Sequence, residues 1–133
     1  MKKRRRLTEA EWEIMEGVWR LGRRVIAREV HNHLYPKGQK AFSTVQTILG
    51  ILAAKGFLQK EKIGKINFFT PAVSREEVGQ QETRSLVSRI YRGSFGALVS
   101  HLVDSGALSQ AERDRIKAQI EAKEREERGK GGR

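Results

Sequence analysis

Apolar side chains recur at helical spacing along most of this chain, and turn residues break the pattern at regular points. Thr8-Glu9-Ala10-Glu11 has the form of a capping box, with Thr8 as N-cap and Glu11 at the third helical position. Leu7 and Trp12 flank it as a hydrophobic staple. Trp12, Met15, Val18 and Trp19 then share one face, while Glu11, Glu13 and Glu16 point elsewhere. The pattern predicts a first helix from Thr8 to Gly22, with both tryptophans in the core. A shorter helix is predicted within Ile26–Tyr35, presenting Ala27, Val30 and Leu34, before Pro36-Lys37-Gly38 breaks it. A third is predicted from Ser43 to Lys55, with Gly56 just past its end. Val45, Ile48, Leu49 and Leu52 fit its buried stripe.

The face of the third helix opposite that stripe centres on Ser43, Thr47, Gly50 and Ala54, flanked by Thr44, Gln46 and Ile51. It carries no charge, whereas an ordinary solvated face carries Lys or Glu. Small residues there let the helix backbone approach a partner closely. Two β-prone runs follow, Phe57–Ile63 and Ile66–Pro71, around Gly64-Lys65, and they read as a hairpin with Lys60, Lys62 and Lys65 near its tip. Helix, helix, helix, hairpin is the order of a helix-turn-helix followed by a wing. In that architecture the second helix of the motif enters the DNA major groove.

The second half carries two more capping boxes. Ser74-Arg75-Glu76-Glu77 opens a helix running to about Arg92, and Ser109-Gln110-Ala111-Glu112 opens one running to about Glu127. Between them, Phe95, Leu98, Val99, Leu102 and Val103 form an amphipathic stripe that stops near Gly106. Leu86, Val87, Ile90 and Tyr91 contribute from the preceding helix, and Ile116 and Ile120 from the last. Three short one-sided helices cannot close a core alone, so a second copy of the chain is expected to supply the missing surface. Leu86, Ile90, Phe95, Leu98, Val99, Leu102 and Val103 are the expected dimerisation residues. The reading is mainly α with a small β-hairpin. It divides into a basic arm (1–6), a winged-helix domain (7–72), a helical dimerisation region (73–128) and a tail (129–133).

Charge sharpens this picture. The chain has 133 residues and a net charge of +11, with 27 Lys and Arg against 16 Asp and Glu. Residues through Ala72 hold 15 of those basic residues and 6 of the acidic ones, so the first half carries nearly all the excess. A polyanion is the expected partner, contacted by the first half. The basic Met1–Arg6 arm lacks an apolar segment, so no secretory signal is expected; the arm can add phosphate contacts. No apolar run is long enough to span a bilayer, so membrane insertion is not expected. The chain has no cysteine, which excludes disulfides, thiolate metal sites and cysteine nucleophiles and is compatible with a reducing cytoplasm.

Other candidate chemistry falls away on spacing. His31 and His33 lie two apart on a helix and do not face each other; His31 projects onto the apolar stripe and reads as a packed side chain. No further ligands lie near for a metal, and no cofactor is implied. Ser, His and Asp occur without a nucleophile-elbow pattern, and Gly64-Lys65 lacks the rest of a phosphate loop. An enzyme is not expected. Thr44, Gln46 and Thr47 are the candidate base contacts, since Gln pairs with adenine and Thr methyls meet thymine methyls. Lys40, Ser43, Lys60, Lys62 and Lys65 are the candidate backbone contacts. The alternative is a winged-helix adaptor that docks proteins, against which the uncharged outer face and the basic first half both count.

Six blocks of sequence resemble the penicillinase repressor (BlaI/MecI) family. They are Leu7–Met15, Ser43–Leu49, Lys55–Leu58, Phe69-Thr70-Pro71, Gln81-Glu82-Thr83 and Gly93-Ser94-Phe95, and the likeness runs from about Leu7 to Ile120. The resemblance implies a homodimeric repressor on an operator of dyad symmetry, with an N-terminal winged helix and a C-terminal dimerisation region. It also implies release by a regulatory protease in members controlled by a membrane sensor of β-lactams. In those members the cut falls at an Asn-Phe bond, and His101-Leu102 stands at the aligned position here, a departure from the pattern. Copper-responsive relatives carry a cysteine-rich metal motif, which this chain lacks.

Overall fold

The computed structural model describes residues 6–131, so the arm's Met1–Arg5 lie outside the described residues. The chain runs α1 (Glu9–Leu21), β1 (Val25–Ile26), α2 (Ala27–Leu34), α3 (Phe42–Ala54), β2 (Leu58–Ile63), β3 (Ile66–Pro71), α4 (Arg75–Ile90), α5 (Phe95–Asp104) and α6 (Gln110–Gly131). It forms two compact units, one ending at Thr83 and one beginning at Arg84.

The first unit is built on its caps and its core. Thr8 Oγ accepts from the Glu11 amide at 3.2 Å, and Glu11 accepts from the Thr8 amide at 2.9 Å. Gly22 closes α1 in a left-handed conformation. Ile14, Met15, Val18, Val25, Val30, Val45, Leu49 and Leu52 are wholly buried. Trp12, Trp19 and Ile48 are only partly buried, packed on the flank of that cluster, while Ile14 takes a central place. The tryptophans are a correction to the sequence reading, and the cause is size: the indoles meet edge to face at 5.7 Å, and Trp19 Nε1 donates to the Val73 carbonyl at 3.0 Å. Gly17 allows α1 and α2 to approach closely, since a Cβ there would stand 2.7 Å from Leu34 Cδ1. Val73 and Val78 belong to the same core as α1–α3, which is why this unit reaches Thr83.

The three strands form one antiparallel sheet in the order β1-β3-β2. β1 pairs Val25 with Phe69 and Ile26 with Phe68. Two residues are too short to leave a periodicity, so the sequence reading contains the hairpin and not this strand. β2 pairs with β3 from Leu58↔Pro71 to Ile63↔Ile66, and Gly64 takes a φ of +64° in the tight turn between them. Phe57 precedes the strand and is buried in the core.

The second unit has well-formed helices and little interior. Ser94 caps α5 through the Ala97 amide, and Ser109 and Glu112 form the expected reciprocal cap of α6 at 2.9 and 3.1 Å. α4 ends at Ile90, before Arg92 and Gly93 take left-handed conformations. α6 continues through Gly129 to Gly131, beyond the end expected near Glu127, with Lys130 reaching Glu126 at 3.5 Å. Among its described residues, Val87 alone is buried. Ile90, Phe95, Val99, Val103 and Ile120 are each about half exposed or more.

Candidate nucleic-acid interface

The apolar side of α3 faces the core through Val45, Leu49 and Leu52, which fixes what its other side presents. Ser43, Thr44, Gln46, Thr47, Ile51 and Ala54 are exposed there, and no charged side chain interrupts them. The three candidate base readers therefore sit together in the first two turns of α3. Ala41 gives this helix no side-chain cap, so Phe42, at its first position, and Ser43 lead into the motif with amide hydrogens that no side chain takes.

The loop between α2 and α3 is tied down from both sides. His31 Nε2 lies 2.7 Å from the Lys40 carbonyl, which can only accept, so Nε2 carries the proton. Nδ1 is buried without a hydrogen-bond partner. Tyr35 is buried and donates to Glu13; burial first, then the Glu13 carboxylate, push its phenol well above the usual range. At the start of α2, Glu29 accepts from the Ile26 amide at 3.0 Å and pairs with Arg23 at 2.8 Å. That amide bond, followed by Arg23, holds the Glu29 carboxyl below its ordinary value.

Strand register sorts the wing. Opposed residues of an antiparallel pair share a face, and alternate residues share it too. Leu58, Lys60 and Lys62 therefore lie on one face of the hairpin with Phe69 and Asn67, and Gln59, Glu61 and Ile63 lie on the other with Thr70, Phe68 and Ile66. Phe69 is buried, so the lysine face continues outward from the core side. On the opposite face Arg24 lies 4.5 Å above the Phe68 ring and pairs with Glu61 at 3.2 Å.

Ion pairing decides which cations of the first unit remain available. Arg6, Arg23, Arg24, Lys40, Lys55 and Arg75 each meet a carboxylate. Among the described residues of this unit, Arg20, Arg28, Lys37, Lys60, Lys62 and Lys65 meet none; Arg28 flanks α3 and the three lysines from Lys60 to Lys65 belong to the wing, while Arg20 ends α1 and Lys37 lies in the loop after α2. Lys40 stands apart from the other candidate backbone contacts, because its ammonium lies 3.6 Å from Glu13 and 5.4 Å from the Tyr35 ring. Arg28 is absent from the sequence reading. Its only sequence signal is a position in the first turn of α2 off the apolar stripe. A cavity of about 250 Å³ opens between α2, α3 and the wing, lined by Arg28, Phe42, Gln46, Lys65, Asn67 and Phe69.

Among the described residues no group of three or more His, Cys, Asp and Glu could hold a metal ion. The remaining site expectations fall in the second unit. Leu86, Leu98 and Leu102 are half-buried, and Ile90, Phe95, Val99 and Val103 are exposed. His101 is exposed within α5, its ring 6.2 Å from that of Tyr91, and Leu102 follows it in the same helix. Among the described residues no helix is long and apolar enough to cross a membrane.

A short strand, a helix-turn-helix and a two-stranded wing around one core define the winged-helix class of DNA-binding fold. The particular family follows from sequence: residues 7–122 match the penicillinase repressor family, and the chain belongs to it. It is 36% identical over 106 residues to an uncharacterised 16.5 kDa protein of Latilactobacillus sakei, covering 80% of this chain and 72% of that one. It is 28% identical to the penicillinase repressor of Bacillus licheniformis, covering 84% and 87%. The methicillin resistance regulatory protein MecI of Staphylococcus aureus is 24% identical, covering 84% and 89%. A solved structure of the Bacillus licheniformis BlaI monomer with the blaP half-operator aligns with a TM-score of 0.47 at 30% identity, over 58% of this chain and 93% of that one.

Proposed function

We infer that this chain is a DNA-binding transcriptional repressor that acts as a homodimer on a dyad-symmetric operator. The observation that carries this reading is the exposed, uncharged face of α3, with Arg28 and the wing's Lys60, Lys62 and Lys65 beside it, none of them neutralised by a carboxylate among the described residues. Gln46 reads a base edge through its amide, and Thr44 and Thr47 add hydroxyl and methyl contacts. Lys60, Lys62, Lys65 and Ser43 hold phosphates and set the register of α3 in the groove. Lys40 serves only if it leaves Glu13. Two relatives, a penicillinase repressor and a methicillin resistance regulatory protein, support the same function.

The exposed stripe of α5 supports the dimer. A unit whose described residues bury Val87 alone has its apolar surface still to cover, and a second copy of Phe95, Val99 and Val103 matches it by symmetry. A protease that released this repressor would cut in α5 at His101-Leu102, severing the stripe. Cytoplasmic residence follows from the function.

Salt titration of binding to duplex DNA tests the reading. Affinity is expected to fall steeply with salt on any duplex and to be far tighter on a cognate one. Affinity that is weak and insensitive to salt would favour a protein-docking adaptor.

A further inference from the structure

Arg28 lays its guanidinium 3.8 Å above the centre of the Phe42 ring. His31, three residues further along α2, sets its ring edge to the same phenyl at 5.8 Å and 89°. Phe42 is thus gripped by two side chains of one helix face, at the position where α3 begins. No carboxylate meets Arg28 among the described residues, and the side chain is exposed. It borders the cavity that Gln46 borders from α3 and Lys65 from the wing. A guanidinium stacked on an aromatic ring keeps its edge donors free while its rotamers are restricted. Arg28 and Lys65 thus both line the space between α2, α3 and the wing, where an anion would meet positive charge.

We propose that Arg28 is a backbone clamp of this interface: stacked on Phe42, it takes a phosphate of the DNA strand beside the bases under Gln46. Phe42 is the positioning residue, acting through Arg28. The fork of donors suits a phosphate, and the stacking fixes the distance between that phosphate and the first turn of α3. Arg28 therefore sets the depth and register at which Gln46 meets its base. The proposal rests on the DNA-binding reading and adds a contact from α2, outside the recognition helix and the wing.

The test uses the full-length chain, a duplex that it selects from a random-sequence library, and an unrelated duplex of equal length. Arg28→Ala should weaken both duplexes, the unrelated one by about tenfold per half-site and the selected one by at least as much. It should make the salt slope shallower by roughly 0.9 for each phosphate lost. Ethylation interference should lose one phosphate per half-site from the pattern of the intact protein. Arg28→Lys should keep the slope and recover part of the affinity. Phe42→Leu should keep the slope and the fold while losing part of the affinity. Wild-type affinity and slope for Arg28→Ala, with shallower slopes for Lys62→Ala and Lys65→Ala, would overturn the clamp and leave the repressor standing. An affinity loss with an unchanged slope and a lowered melting temperature would also overturn it, leaving Arg28 a brace for Phe42. A wild-type chain that retains no duplex at low salt would remove both readings.

Discussion

Lys55 Nζ lies 2.7 Å from Glu11 Oε1, so the carboxylate that caps the start of α1 also anchors the residue that ends α3. Glu11 is buried and the Lys55 side chain is 16% exposed. Burial raises the Glu11 carboxyl, but the Lys55 ammonium and the Thr8 amide outweigh it and hold the group below its ordinary value. A carboxyl depressed by folding stabilises the fold above its unfolded pKa, and that contribution is lost as pH falls through the carboxylate range to the folded value. Glu11→Gln should therefore cost about 2–3 kcal/mol at neutral pH, because it leaves a mostly buried ammonium with the Arg6 carbonyl and no opposite charge. It should also flatten the acid side of the stability curve, which chemical denaturation at neutral and acid pH measures. Equal losses at both pH values would remove the ion pair from the account.

Gln46→Ala should weaken the cognate duplex by ~1–3 kcal/mol and relax one base position, with little effect on random DNA. The side chain is exposed in the first turns of α3, where nothing in the fold needs it. Binding to a panel of single-base operator variants checks this. Equal weakening on every duplex would show that Gln46 is no base reader.

Lys62→Ala and Lys65→Ala should each weaken cognate and random DNA alike and reduce the salt slope by roughly one unit per bound subunit. Both side chains are exposed on the hairpin and neither has an acidic partner among the described residues. Titration over a range of salt reads the slope, and an unchanged slope for both variants would take the wing out of the interface.

The elements that were legible in the sequence are those with a reciprocal cap or a long apolar stripe. Thr8 and Glu11, Ser74 and Glu77, and Ser109 and Glu112 each make both expected bonds. The uncharged face of α3 was legible for the same reason: a helix with four stripe positions leaves no choice about its far side. Three features were not. β1 owes its existence to Phe68 and Phe69 across the sheet, a pairing between residues far apart in the chain. Trp12 and Trp19 fit the apolar spacing, yet a ring that size with a polar N–H settles at the core's edge, where Trp19 finds the Val73 carbonyl. Arg28 reads as a solvated cation until Phe42, on the next helix, is seen beneath it. Lys40 shows the converse, a cation in the expected stretch whose charge is already engaged by Glu13.

Val99→Asp should turn a dimer into a monomer without unfolding the chain, since Val99 is 48% exposed within the single chain. A chain ending at Thr83 should melt cooperatively and also sediment as a monomer, because the first unit carries its own core. Joining two recognition helices makes the second half-site encounter intramolecular, so either monomer should lose ~10²–10⁴ in operator affinity. Analytical ultracentrifugation with operator titration covers both parts. A full-length chain that is monomeric at micromolar concentration would contradict the dimer.

Sequencing the duplexes that the full-length protein enriches from a random library tests the central claim most directly. The account predicts inverted repeats whose half-sites are centred about one helical turn, or a multiple of it, apart, with the strongest base preferences changed by Gln46→Ala. Enrichment of a single unrepeated motif would contradict the two-fold reading. A library that emerges unenriched would contradict sequence recognition by the α3 face altogether.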